Sequence, residues 1–191
     1  RTLGRALGSR RHKAVIATKF GVRVENGSTF YDNSPQWIRT ACENSLRRLD
    51  TDYIDLYQIH NATPADVETV CAPGGALEAL QEAKAAGKIG HIGITAHSMD
   101  TFRIALDLDW VETIMFPYNI VETQGEALIK KAAEKNIGFV DMKPLAGGAI
   151  EDASLAMRFL VSNPDVTVVI PGMADPKEVE VNLTAAENTA P

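Results

Sequence analysis

The chain has 191 residues, of which 45% are hydrophobic, 23% charged and 6% aromatic; this is the make-up of a globular chain with one sizeable core, and a single domain over residues 1–191 is expected. A formal net charge of −6 sets it against nucleic acid and anionic membrane, which repel it at long range, so small molecules are the expected ligands. No apolar run reaches the roughly 18 residues that span a bilayer and no signal peptide opens the sequence, which leads to the expectation of a soluble, cytoplasmic protein.

The opening RTLGRALGSRR, residues 1–11, reads as a helix already under way at Arg1, so the amino terminus is expected to be cut rather than natural. Residues 14–17 (AVIA) form an apolar run that reads as a buried strand. Ser34 and Pro35 supply an N-cap and a first-turn proline for a helix to Leu49, with Ile38, Cys42, Ser45, Leu46 and Leu49 on one face. Residues 53–59 (YIDLYQI) have strand character interrupted by Asp55 and end at His60 and Asn61. A helix over 75–86 is stopped by Gly87, and a strand over 89–95 (IGHIGIT) follows.

The alternation continues with helix 99–106, strand 113–116, helix 126–135 and strand 138–142. A helix over 155–162 stops before Asn163 and Pro164, a strand over 166–170 (VTVVI) follows, and Asp175 with Pro176 caps a last helix over 177–185. Six strand-helix units predict a parallel sheet with right-handed crossovers, doubly wound or closed as a barrel. No GxGxxG turn follows the first strand, which favours the barrel. Cys42 and Cys71 match neither a metal-ligand spacing nor a disulfide framework and read as isolated structural thiols.

In a parallel barrel, chemistry sits where strands end and βα loops begin. Those positions are Lys19, His60, 95–98, Tyr118 and Asn119, Lys143 and Gly172. Histidine is the side chain that changes charge near neutral pH, so His60 is a candidate proton donor. The loops over 26–28 (NGS) and 61–71 (NATPADVETVC) are candidates for substrate contact.

The strings ATKFG, SLRRLDTDYIDLYQIH, GKIGHIGIT, DMKPLAGG and VVIPGM, in this order and at these intervals, resemble the aldo-keto reductase family over nearly the whole chain. The resemblance implies an α/β fold, a (β/α)8 TIM barrel of which this chain supplies roughly strands 3 to 8. It also implies hydride transfer from NADP or NAD to an aldehyde or ketone, the small-molecule carbonyl substrate. Four family residues assist: an Asp, a Tyr, a Lys and a His. Lys19 matches the Lys, a cation that favours the ionised phenol of the Tyr, and His60 matches the His that orients the carbonyl. The Asp and Tyr of the family lie upstream of the segment that opens this chain, and no residue here takes their place. Without them this segment alone is expected to be inactive. The alternative implied is a cofactor-binding sensor or regulatory module with weak or no catalysis.

By the same resemblance, the cofactor-contacting positions are Thr95 and Ala96 after the fifth barrel strand, with His97 following; Met142, Lys143, Pro144, Leu145 and Gly147 after the seventh; and Gly172, Met173 and Asn182 after the eighth. Lys143 is expected at the pyrophosphate and Asn182 at the adenine. Where many members grip the 2'-phosphate of NADP with basic residues, this chain has Gly172 and Glu178, which weakens the case for NADP over NAD and leaves the choice between them open. The stretches FPYN, MKPLAGG and IPGM resemble a bacterial and archaeal branch whose members often carry a ferredoxin-like domain after the barrel.

Overall fold

The protein is described here by a computed structural model covering residues 2–187, so Arg1 of the predicted opening helix lies outside the described residues. The chain divides into two units, Arg1–Thr95 and Ala96–Pro191, and each holds three parallel strands with their helices.

In the first unit the opening helix is shorter than its pattern. Helix α1 (Thr2–Leu7) tightens into a 3-10 turn over Gly8–Lys13, because Gly8 adopts φ +47 and leaves α geometry. Strand β1 is Ala17–Phe20, three residues later than predicted. The apolar run 14–17 is a lead-in instead: Val15 is 83% exposed, while the Ala14 carbonyl accepts from Arg11 Nη1 (2.8 Å) and the Ile16 amide donates to Asp55 Oδ2 (2.8 Å). Asp55, which breaks the apolar pattern of the next parallel strand, thus holds the entry to β1, and Arg11 Nη2 pairs with the same oxygen (2.7 Å).

Residues 26–28 belong to a hairpin rather than an open loop. Strands β2 (Val22–Glu25) and β3 (Ser28–Tyr31) pair antiparallel around Asn26 and Gly27, both at positive φ, the two-residue turn that Asn-Gly favours. Helix α2 (Pro35–Leu49) begins as predicted: Ser34 Oγ accepts from the Trp37 amide (3.2 Å), and Asp50 ends the helix in the left-handed region. Ile38, Cys42 and Leu46 are its buried face. Strand β4 (Ile54–Ile59) follows.

Most of the predicted loop 61–71 is a helix, α3 (Pro64–Cys71). Thr63 and Asp66 close a reciprocal capping box, Pro64 sits in the first turn, and Val67 and Val70 face the core. Helix α4 (Ala76–Ala85) and strand β5 (Ile89–Thr95) complete the unit. The parallel order is β1-β4-β5, with Lys19 opposite Gln58 and Gln58 opposite Gly93. Phe20 and Tyr57 meet at 4.9 Å in a core with Ile38, Ile54, Ile59, Leu80 and Ile94.

In the second unit, α5 (Met99–Ala105), β6 (Thr113–Pro117), α6 (Glu126–Glu134) and β7 (Gly138–Met142) lie close to their predicted bounds. A 3-10 turn over Ala146–Gly148 precedes α7 (Ala153–Val161), β8 (Val168–Val169) and α8 (Pro176–Glu187). Strand β8 is much shorter than the predicted 166–170, since only Val168 and Val169 pair with β7 and Val168 and Ile170 remain largely exposed. The core is aromatic: Phe102 lies 5.3 Å from Phe116 and 6.0 Å from Phe139, and Tyr118 lies 5.6 Å from Phe159. Cys42 and Cys71 are free thiols; Cys42 is buried, whereas Cys71 is exposed and so is no part of the core.

Candidate active site

In the first unit the two candidate catalytic residues come together on one face of the sheet. Lys19 lies inside β1, not past it, opposite Gln58 of β4, and His60 is the first residue after β4. Side chains alternate along a strand, so Lys19, Gln58 and His60 share a face while Phe20, Tyr57 and Ile59 take the other. The second face is that of α2: burial, and next the Cys42 thiol of α2, push the Tyr57 phenol up from its ordinary value. Lys19 and His60 are exposed, whereas Gln58 is 0% exposed.

Local structure fixes the turn at this end of the strands. The His60 amide donates to the Phe20 carbonyl (3.0 Å). Gly21 follows at φ +98, where a Cβ would stand 2.8 Å from Asn33 Oδ1, so the chain can turn away here only with glycine. Asn33 Nδ2 donates to Asp66 Oδ1 (3.1 Å), tying the approach to α2 onto the start of α3. The Thr95 hydroxyl accepts from the Asn61 amide (2.7 Å) and its carbonyl from the Ala62 amide (2.8 Å). Thr95, expected at a cofactor, therefore also steadies the turn that carries His60.

In the second unit, seven of the predicted cofactor residues line one cavity of about 940 Å3: Lys143, Pro144, Leu145, Gly147, Gly172, Met173 and Asn182. This volume falls within the roughly 300–1,000 Å3 of small-molecule sites. Lys143 sits at φ +60, held there by fully buried Asn119, whose Nδ2 donates to the Lys143 carbonyl (3.0 Å). Ala146, Gly147 and Gly148 also have positive φ, closing the loop with bonds from the Ala146 amide to the Lys143 carbonyl (2.9 Å) and from the Gly148 amide to the Leu145 carbonyl (2.8 Å). Strain of this kind persists where the surroundings enforce it.

Asn182 is 7% exposed and its Oδ1 has no hydrogen-bond partner among the described residues. A buried acceptor left open in a cavity wall is a group prepared for a donor. Glu178 is pinned at the wall, its Oε2 accepting from the Ala174 amide while its own amide donates to Asp175 Oδ1 (3.0 Å). The wall's charged side chains are Lys143 and Lys177 against Glu151, Asp175 and Glu178. Burial, then the Lys143 cation, push the His97 imidazole down.

Ala96 and Met142 do not line the cavity: Ala96 is fully buried with its amide on the Met115 carbonyl (3.0 Å), and Met142 ends β7. Sequence reasoning missed Gln58, Asn33 and the bracing role of Asn119. A polar residue on the rim-facing parity of a strand is the signal that would have found Gln58. Among the described residues no His, Cys, Asp or Glu group could hold a metal ion, and no helix is long and apolar enough to cross a membrane.

Comparison with known proteins identifies the family. Residues 1–154 match the aldo/keto reductase family, and the chain belongs to that family. It is 32% identical over 157 residues to the uncharacterized oxidoreductase YqkF of Bacillus subtilis (strain 168), covering 80% of this chain and 49% of the relative. It is 37% identical over 131 residues to the aldo-keto reductase YhdN of the same organism, covering 66% and 37%. The chain thus spans half or less of these curated relatives. Among solved structures, the holo form of aldo-keto reductase AKR11C1 from Bacillus halodurans matches with a TM-score of 0.85 and 28% identity, over 98% of this chain and 72% of that one. The α/β arrangement of six parallel strands and helices matches the barrels of this family.

Proposed function

We propose that the chain supplies strands 3 to 8 of a (β/α)8 barrel and that the whole protein is an NAD(P)H-dependent reductase of small aldehydes or ketones. The observation that carries the reading is the cavity beside β7, where a cationic side chain, a loop of left-handed backbone and an orphaned buried acceptor meet. These groups fit a nicotinamide dinucleotide. When bound, the dinucleotide supplies the hydride.

The chain's own residues do the rest. Lys143 would neutralise the pyrophosphate, since the Ala146 and Gly148 amides of the turn are already bonded to the Lys143 and Leu145 carbonyls. Asn182 Oδ1 would be the acceptor offered to the adenine, and Gly172, with no side chain, leaves the wall open there. Thr95 keeps its O–H to donate after its oxygen has accepted from Asn61, and with Ala96 and Met142 it is assigned to the nicotinamide end by family resemblance. His60 would donate a hydrogen bond that orients the substrate carbonyl; the proton that completes the alcohol as hydride adds to the carbonyl carbon is the role of the family's Tyr, for which this chain holds no residue. Lys19 adds positive charge where the carbonyl oxygen gains negative charge, the arrangement that lowers barriers most in acyl and carbonyl chemistry.

NAD is the favoured cofactor. The pinned Glu178 carboxylate and the excess of acids over lysines along the wall repel an additional phosphate. The test is fluorescence titration with NADH and NADPH, then NADH consumption with 4-nitrobenzaldehyde. Tighter NADPH binding would overturn the preference, and neither binding nor consumption would overturn the function.

A further inference from the structure

Asn119 uses one arm of its side chain outside its own turn. It is 0% exposed, and both ends of its amide are bonded: Oδ1 accepts from the Val121 and Glu122 amides (3.1 and 3.0 Å), while Nδ2 donates to Glu122 Oε2 (2.7 Å) and to the Lys143 carbonyl (3.0 Å). The first three bonds close the turn from Asn119 to Glu122, which two backbone bonds between these residues also close. Those three account for an asparagine in the turn. The fourth crosses to a residue 24 positions away and adds nothing to the turn.

What it reaches is a strained residue. Lys143 stands at φ +60, in the left-handed region that a side chain with a Cβ disfavours, and Pro144 follows it. A residue before proline settles at a φ of about −120°, so two restrictions are broken at one position. The Lys143 carbonyl accepts from Asn119 Nδ2 outside the loop and from the Ala146 amide within it (2.9 Å), which takes both of its lone pairs. The same turn holds Asp141 of β7, whose buried Oδ1 accepts from the Tyr118 amide (3.1 Å). Tyr118 and Asn119 thus grip the chain on either side of Met142. In this conformation Lys143 lines the cavity with Pro144, Leu145 and Gly147. Backbone strain enforced by its surroundings collects at ligand sites.

We infer that Asn119 is a positioning residue for anion binding in this cavity: its bond to the Lys143 carbonyl holds Lys143 in the left-handed conformation from which the ammonium meets a phosphate. The inference rests on the reading of Lys143 at the pyrophosphate. Asn119 is fully buried with its donors in use, so it acts through Lys143 and does not touch the ligand. Without the bond, Lys143 relaxes toward the extended backbone that a residue before proline prefers.

The experiment compares ADP with adenosine, which share base and ribose and differ in the pyrophosphate, by calorimetric titration of the purified protein. Asn119→Ser keeps a hydroxyl that accepts from the turn amides and has no nitrogen to offer Lys143. It is expected to leave the adenosine Kd unchanged and to lower the preference for ADP over adenosine about tenfold. Asn119→Asp keeps the size and the acceptor, removes the donor, and is expected to show the same loss; should Asn119→Ser fail to fold, this variant decides by the same ratio. In a Lys143→Met background neither substitution adds to the loss, because the bond then positions no charge. An unchanged preference, an equal loss for adenosine and ADP, or the same loss with and without the Lys143 ammonium would overturn the inference. If the wild type does not prefer ADP, or Lys143→Met keeps the preference, the reading of Lys143 at the pyrophosphate fails first and this inference falls with it.

Discussion

Lys19 and His60 share a face of β1 and β4 but differ in what they can contribute. A fixed cation acts on charge that develops during the reaction, so Lys19→Met is expected to reduce kcat by roughly 10²–10³-fold, with the Kd for NADH unchanged. His60→Gln keeps a hydrogen-bond donor and is expected to cost less, mainly in kcat/KM. Steady-state kinetics and NADH titration of both variants check the pair; unchanged turnover in Lys19→Met removes it from the mechanism. Asp141 makes a different kind of prediction. It is 0% exposed in β7, with Oδ1 accepting from the Tyr118 amide (3.1 Å) and Oδ2 unpartnered. Burial pushes its carboxyl up to about 8, against the opposing hydrogen bond from Tyr118. An unfolded aspartate titrates near 3.9, so the fold binds the proton more tightly than the open chain does. The stabilisation is complete below about pH 4 and is lost as pH rises through about 8, a change of a few kcal/mol. Asp141→Asn has no such slope, so urea denaturation of both proteins at about pH 5 and about pH 8 is expected to show the variant gaining relative to the wild type with rising pH.

Helix starts were the most legible elements, because a cap is a local matter of one side chain and one amide. Ser34 and Pro35 predict α2 and the Ser34 hydroxyl takes the Trp37 amide; Ser34→Ala is accordingly expected to cost about 1 kcal/mol in urea denaturation. Thr63, Pro64 and Asp66 carry the same kind of signal for α3, but with few apolar positions 61–71 has the pattern of a loop. Asn26-Gly27 likewise marked a hairpin that β-propensity in VRVE and STFY left unmarked. The strands were legible as types but not as bounds: AVIA lost its place in β1 to side-chain bonds from Arg11 and Asp55, which lie far apart in sequence. Of the site, the residues of the β7 loop were legible through their motif. The bracing of Lys143 by Asn119, 24 residues away, was not, since nothing local announces it. The same loop yields a test. Lys143 contributes, after burial, to the lowered titration of His97, so Lys143→Met is expected to raise the His97 titration midpoint in proton NMR. An unmoved midpoint would separate the two residues.

Binding energy at the cavity also feeds into the stability of the protein that holds it. A ligand that binds the folded chain and not the unfolded one stabilises it by RT ln(1 + [L]/Kd), about 2.7 kcal/mol at a hundredfold excess over Kd. Because the cavity lies in the second unit, formed by residues between Lys143 and Asn182, saturation with NADH protects that part of the chain directly. The formal net charge of −6 adds a general repulsion toward anions, and the pinned Glu178 adds a local one. Both oppose NADPH, with its additional phosphate, more than NADH. The expected order of Tm at equal ligand concentration is therefore NADH above NADPH above the unliganded protein. Glu178→Gln removes one carboxylate while keeping a side chain that can accept from the Ala174 amide, so it is expected to narrow the gap between the two cofactors without lowering the unliganded Tm. The added salt of a high-ionic-strength buffer shortens the reach of the net charge to a few ångströms but leaves a contact-range carboxylate in place. If salt alone closes the NADH–NADPH gap and Glu178→Gln does nothing, the preference comes from the net charge and Glu178 has no part in it. If Glu178→Gln closes the gap at every salt concentration, the discrimination resides in that single side chain at the cavity wall.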